Sequence, residues 1–210
     1  MARSPGKLSG AMERLVRGED GVVRCGWGAE PEIYRRYHDQ EWGRPLHGDD
    51  AIFERLTLEA FQSGLSWLTI LRKREAFRSA FAGFSIERVA GFGELDVDRL
   101  MGDSGIVRNR AKVVAALANA RAAAALQSRD GSGALDRLVW AHRPLEERSL
   151  GAEIPASSPE SKALAKALRQ AGFVFLGPIT AYAAMQSLGV VNDHAEGCAS
   201  RLPSAGFRGS

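Results

Sequence analysis

The sequence predicts an all-α fold. Apolar residues recur at helical spacing from residue 49 onward, and an alanine-rich stretch at 109–126 is the strongest helix former in the chain. No segment of convincing length alternates apolar and polar residues as a half-buried strand would. The elements follow in order. Residues 1–22 are rich in glycine and charge, lack periodicity and read as a flexible extension. Asp49 or Asp50 can cap a helix running to about Gln62. The run "QSGLSW" interrupts it, and a second helix spans about Ser66 to Phe81. Shorter helices fit 85–91 and 96–102. Ser158-Pro159 opens another, with proline at the first helical position, and Gly172 closes it as a left-handed cap. The last runs from about Pro178 to Leu188; "FVFLG" at 173–177 is too short to count as a strand. The expected organisation is one domain over 23–200, built of two helical lobes with a hairpin at about 97–121, and a tail at 201–210.

With 45% hydrophobic and 25% charged residues the chain is globular rather than disordered. No run of 18 apolar residues is present, so no membrane span is expected. "MARSPGKLSGAMERLVRGED" lacks the apolar core of a signal peptide; the cytoplasm is the expected compartment, and a disulfide is not expected there. The net charge of +3 is uneven. Residues 1–24 carry +2 and 199–210 another +2, leaving −1 for the rest. Any polyanion-binding surface must therefore arise from local clustering.

The only cysteines are Cys25 and Cys198. His194 and Cys198 are an i, i+4 pair that would share one helical face. Cys25 and His38 lie near the other end of the sequence. Two cysteines and two histidines complete a tetrahedral zinc set; two buried thiols with two ordinary histidines is the other reading of the same spacing. A metal there would close a very large loop, worth roughly several kcal/mol. His47 and His142 have no sulfur nearby and read as surface residues.

In "DDAIFERLTLEAFQSGLSW" (49–67), Ile52, Phe53, Leu56 and Ala60 form one apolar stripe, with Glu54 and Arg55 on the solvated side. Glu59 falls within the stripe, where a carboxylate is costly unless paired, hydrogen-bonded or facing a cavity. It is either a site group or a structural glutamate bonded to backbone or to an arginine. Trp27, Tyr34, Tyr37, Trp42 and Trp67 cluster nearby in sequence, as a core patch or as a slot that stacks a flat ring. "LDVDRLMGDSGIVRNRAKVVAAL" (95–117) reads as helix, glycine turn, helix. Gly105 gives the turn; Arg108, Arg110 and Lys112 surround a helix N-terminus suited to a duplex phosphate. "RKR" (72–74) with Arg78 is a second basic cluster, by default a solvated face.

Taken together, "CGW", "YHDQEWG", "LE" followed by "QSGLSWLTILRKRE", "GIVRNRAK", "GFVFLGP" and "VNDHAEGC" resemble the 3-methyladenine DNA glycosylase I family over about residues 23–200. The resemblance implies a helix–hairpin–helix glycosylase fold with a zinc clasp joining the N- and C-terminal segments. It implies one structural Zn2+ per chain held by Cys25, His38, His194 and Cys198. It implies hydrolysis of the N-glycosidic bond of 3-methyladenine in double-stranded alkylated DNA, by a monomer without lyase activity that releases the free base. The corresponding residues are Glu59 as the pocket carboxylate and Trp27, Tyr34, Tyr37 and Trp67 around the base. Leu65 corresponds to the apolar plug, and Gly105, Arg108, Arg110 and Lys112 to the DNA contacts. A non-enzymatic zinc-clasped DNA-binding module is the alternative. Ala183 departs from the serine some relatives carry, and "EAFQ" from a more polar stretch. The resemblance also implies loss of the catalytic aspartate of sister glycosylases, leaving Asp130 and Asp136 as aspartates of open role.

Overall fold

A computed structural model describes residues 15–146 and 153–201. Residues 1–14 of the expected extension, and the expected tail except Arg201, lie outside the described residues. The chain divides into two compact units, one of residues 1–45, 143–156 and 185–210, the other of 46–142 and 157–184. Among the described residues no helix is long and apolar enough to cross a membrane.

The first unit opens on a two-stranded antiparallel ribbon, β1 (Leu15–Arg17) and β2 (Val23–Cys25), with Leu15 opposite Cys25. Neither strand was expected, and residues 15–22 thus belong to a hairpin rather than to a loose extension. The signal was the Asp20-Gly21 turn between "LVR" and "VRC", each only three residues long. The Asp20 carboxylate accepts from the Val22 amide and from Arg24, which holds it well below the usual carboxylate range. A 3-10 turn at Gly26–Gly28 leads to α1 (Glu32–Gln40), which the pattern reading did not anticipate.

The second unit is helical: α2 (Asp49–Gln62), α3 (Trp67–Ala80), α4 (Ile86–Ala90), α5 (Glu94–Gly102), α6 (Arg110–Asp130), α7 (Ala134–Trp140) and α8 (Pro159–Gln170). α9 (Pro178–Ser187) begins in it and ends in the first. Caps set the boundaries: Ser66, Asn109 and Ser158 accept from the amides of Thr69, Lys112 and Ser161. Gly172 has φ +94°, the left-handed conformation that ends a helix. Asp49 and Asp50, expected to cap α2, do not; Gly48 stands at that position. Their carboxylates cap other helices. Asp49 accepts from Gly133 and Asp136 at the start of α7 (3.0 and 2.9 Å), and Asp50 from Ile86 at the start of α4 (3.0 Å).

α2 packs against α3, α6 and α7, so it is covered on more than one side. Arg55, expected in solvent, is 7% exposed, because the helix is central rather than half-buried. Below it Phe61, Phe77, Phe81, Phe84 and Phe53 form a chain of ring contacts with centroids 4.8–6.1 Å apart.

Candidate functional site

In the first unit four ligand atoms converge. Cys25 ends β2, His38 lies on α1, and His194 and Cys198 stand in the irregular segment after α9. The expected helix under His194 and Cys198 is absent; a turn does the work, closed by Cys198 N–H to Ala195 O (3.0 Å) with Gly197 at φ +86°. Cys25 Sγ is 3.7 Å from His194 Nδ1, and Cys198 Sγ is 3.5 Å from His38 Nε2 and 3.6 Å from His194 Nδ1. All four residues are buried and all four atoms lie within 4.8 Å of one another, so the group could hold a metal ion.

The far ring nitrogens are occupied, which turns the near ones inward. His38 Nδ1 lies 2.8 Å from Asp39 Oδ1, and His194 Nε2 lies 3.0 Å from the Trp42 carbonyl. Burial alone would raise Asp39, but Arg24 and then His38 outweigh it and lower its carboxyl. Arg24 grips both Asp39 oxygens through Nε at 3.0 and 2.9 Å. Interaction with Cys198 and burial push the Cys25 thiol up, while Cys25 and the His194 and His38 rings push Cys198 down. The cradle is tight: a Cβ on Gly28 would meet the His38 ring at 2.4 Å.

Trp27 sits at the middle of an aromatic group beside these ligands. Its centroid is 5.0 Å from Trp42, 5.9 Å from Tyr34 and 6.3 Å from Tyr37, in edge or tilted contacts and never stacked. The Trp27 Nε1 is buried without a hydrogen-bond partner among the described residues. Such a donor costs stability unless a ligand or water satisfies it.

In the second unit Glu59 is 5% exposed on α2, as the stripe predicted. Downstream, Gly64 at φ +81° turns the chain, Leu65 stands 42% exposed, and Trp67 is the first residue of α3. The hairpin is α5, a turn at 103–109, and α6. Asp103 accepts from the Gly105 amide (2.7 Å), and a Cβ at Gly105 would press on Ala76 Cβ at 2.9 Å, so a close approach to α3 demands glycine there. Lys73 of α3 donates to the carbonyls of Ser104 and Gly105 (2.8 and 3.1 Å), a clamp the "RKR" pattern did not reveal. Arg108 is exposed, whereas Arg110 already pairs with Glu94 and Asp98 of α5. Lys112 is held at the end of α2, where its Nζ donates to Phe61 O (2.9 Å) and Ser63 O (2.5 Å). Desolvation lowers its pKa.

Comparison with known proteins settles the lineage. The family model for methyladenine glycosylase matches residues 27–201. The chain belongs to the methyladenine glycosylase family. It is 43% identical to the DNA-3-methyladenine glycosylase of Haemophilus influenzae, over 84% of this chain and 97% of that protein. It is equally identical to DNA-3-methyladenine glycosylase 1 of Escherichia coli K12, over 84% and 96%. Among solved structures, 3-methyladenine DNA glycosylase I from Staphylococcus aureus, studied for its recognition of 3-methyladenine, superimposes with a TM-score of 0.79 at 33% identity, over 86% and 97%.

In this glycosylase neither aspartate of open role is a free base. Asp136 accepts from the Gly48 amide (2.6 Å) and faces His47 Nδ1 (3.1 Å), capping α2. Asp130 is held by Arg129 at 2.7 Å, which lowers its pKa. His47 is a surface residue as expected, and its ring stacks on Trp140 with centroids 4.5 Å apart.

Proposed function

We propose that this chain excises 3-methyladenine from alkylated double-stranded DNA, hydrolysing the N-glycosidic bond and leaving an abasic site. The match along nearly the full length of two relatives named for that activity carries the reading. The chemistry is consistent with a chain that has no spare aspartate at 130 or 136. Methylation at N3 makes the base cationic, so the bond to the sugar is already weak. When it breaks, the electron pair stays with the base, which departs neutral; water adds to the sugar carbon and yields its proton to solvent. Little general-acid power is needed, and selection of the lesion is the harder step.

Selection falls to Glu59 and the aromatic residues. Extruding a nucleotide costs roughly a few kcal/mol and is easier for a damaged base. Stacking on Tyr37 and Trp67 suits any purine, with Trp27 and Tyr34 completing the pocket, and a cationic base gains about 0.5–2 kcal/mol more. The Glu59 carboxylate accepts from the exocyclic amine and favours the cationic ring over neutral adenine, the more so for its burial. It is chiefly a recognition group and secondarily steadies a cationic sugar. Leu65 fills the space the nucleotide leaves, while Gly105, Arg108 and Arg110 meet the backbone phosphates. Partners are alkylated duplex DNA and the released base, met by a monomer in the cytoplasm.

The metal is zinc, one per chain, and structural. Ordinary Zn–S and Zn–N bonds in a tetrahedron put sulfur and nitrogen about 3.5–3.6 Å apart. The three sulfur–nitrogen distances here, 3.5, 3.6 and 3.7 Å, support that ion. Four protein ligands leave no position for a reacting water. The test is base release from methylated duplex DNA, with free-base binding followed by tryptophan fluorescence. Glu59→Gln should weaken binding of 3-methyladenine and slow its release by about 10-fold or more. Unchanged kinetics in a folded Glu59→Gln variant would remove Glu59 from the mechanism; a wild-type protein that releases no base would overturn the function.

A further inference from the structure

The segment between α8 and α9 carries a feature the reading above does not use. Phe173 and Leu176 are buried at 2% and 6%, but Val174, Phe175 and Ile179 stand 44%, 53% and 66% exposed. Single exposed apolar residues are ordinary; three within six positions are not. Phe175 also has φ +60°, a conformation that disfavours a bulky side chain. The segment does not relax, because it is tied down on both sides. Phe173 N–H bonds Leu168 O (2.9 Å), and Gly172 lies close enough to α6 that a Cβ would touch Ala122 Cβ at 3.4 Å. Asn119 of α6, 2% exposed, donates to Val174 O (3.1 Å) and accepts from Val174 N–H (2.8 Å). Both polar groups of a buried side chain thus hold the backbone beside Phe175.

The same helix face holds the Leu65 turn. Lys112 precedes Asn119 by two turns, about 20° around the helix and about 10 Å along it. Lys112 fixes the Ser63 carbonyl two residues before Leu65; Asn119 fixes Val174 one residue before Phe175. Exposed apolar tips gain nothing from phosphates, but the faces of bases suit them. Given the glycosylase reading, we propose that Phe175 is a second residue that enters the duplex, stacking on a base next to the extruded nucleotide, with Asn119 as its positioning residue.

Phe175→Gly removes the ring and suits the positive φ, so it leaves the fold intact. With the metal-loaded full chain, its melting temperature should equal or exceed that of the wild type, and free 3-methyladenine should bind unchanged. Release of 3-methyladenine from methylated duplex should fall about 10-fold or more in kcat/KM, the range of one lost stacking contact. The fluorescence rise of a 2-aminopurine beside an abasic analogue should be lost with it. Phe175→Leu, which keeps an apolar tip, should recover most of the activity. Duplex excision within about twofold of wild type by a stable Phe175→Gly would overturn the proposal. So would a joint loss of stability and free-base binding, which would make the ring structural. Failure of the wild type to release any base would instead overturn the glycosylase reading, and this inference with it.

Discussion

Withdrawing the proposed zinc from Cys25, His38, His194 and Cys198 should cost the protein a large share of its stability. The cluster joins His38 to His194, closing a loop of roughly 150 residues, for which chain entropy gives about 5 kcal/mol at 25 °C. A chain of 210 residues unfolds with an entropy of about 0.44 kcal/mol/K, so the melting temperature should drop by about 11 °C. The assay compares thermal unfolding of protein as purified, after chelation, and after return of zinc, with metal content measured on each sample. Asp39→Asn supplies a graded version. It leaves all four ligands in place but removes the carboxylate that orients His38 and anchors Arg24, so metal affinity should fall about 10- to 100-fold. Substoichiometric zinc in the purified protein, with a melting point that moves by less than about 3 °C on chelation, would refute the loop-closure reasoning.

Three further outcomes are expected. Lys112→Met should weaken duplex binding without changing its dependence on salt, since its ammonium serves Phe61 and Ser63 carbonyls, whereas Arg108→Ala should lower the slope of log K against log salt by about one; equal changes of slope would return Lys112 to the phosphates. Asp136→Ala should lower stability by about 1–2 kcal/mol through the lost cap on Gly48. Base release per folded molecule should stay unchanged, and a catalytic collapse would show that this aspartate activates water. Asp96 accepts from the Gly93 amide and then from Arg99, which lower its pKa; its stabilisation is therefore complete above about pH 3.9 and is lost as pH falls through the lower folded value. Urea midpoints of wild type and Asp96→Asn should accordingly differ at pH 6 and converge toward pH 3.

Elements governed by local chemistry were legible in the sequence. Asn109, Ser158-Pro159 and Gly172 announce their helix ends through side-chain capping or backbone preference, and the structure ends those helices within a few residues of the expected points. Glu59 was legible as buried because it falls on the Leu56 face of a periodic helix. Arg55 was misjudged, because periodicity records one apolar stripe and cannot show that α3, α6 and α7 cover a helix from several directions. α1 was missed since "EIYRRYHDQ" has few apolar residues and no side-chain N-cap, and α7 since it is only seven residues long. The clamps made by Lys73, Lys112 and Asn119 were invisible for a different reason. Each links positions 31 to 55 residues apart, and nothing in a lysine or an asparagine names its carbonyl.

Those clamps bear on the proposal that little proton transfer is needed for this reaction. Asp49, Asp50 and Asp136 cap helices, Lys73 and Lys112 hold carbonyls, and Asn119 holds Val174. These polar side chains are committed to backbone groups. That commitment suits a substrate whose leaving base already carries the positive charge, where proton transfer contributes little and placement decides the rate. The same reasoning limits the substrate range. A neutral base needs protonation as it leaves, and Asp136 already accepts from the Gly48 amide while Asp130 already faces Arg129. Neutral lesions such as hypoxanthine should therefore remain in the duplex at enzyme concentrations that clear 3-methyladenine. Comparable release of both would mean that a proton donor is at work and that Glu59 does more than recognise the base.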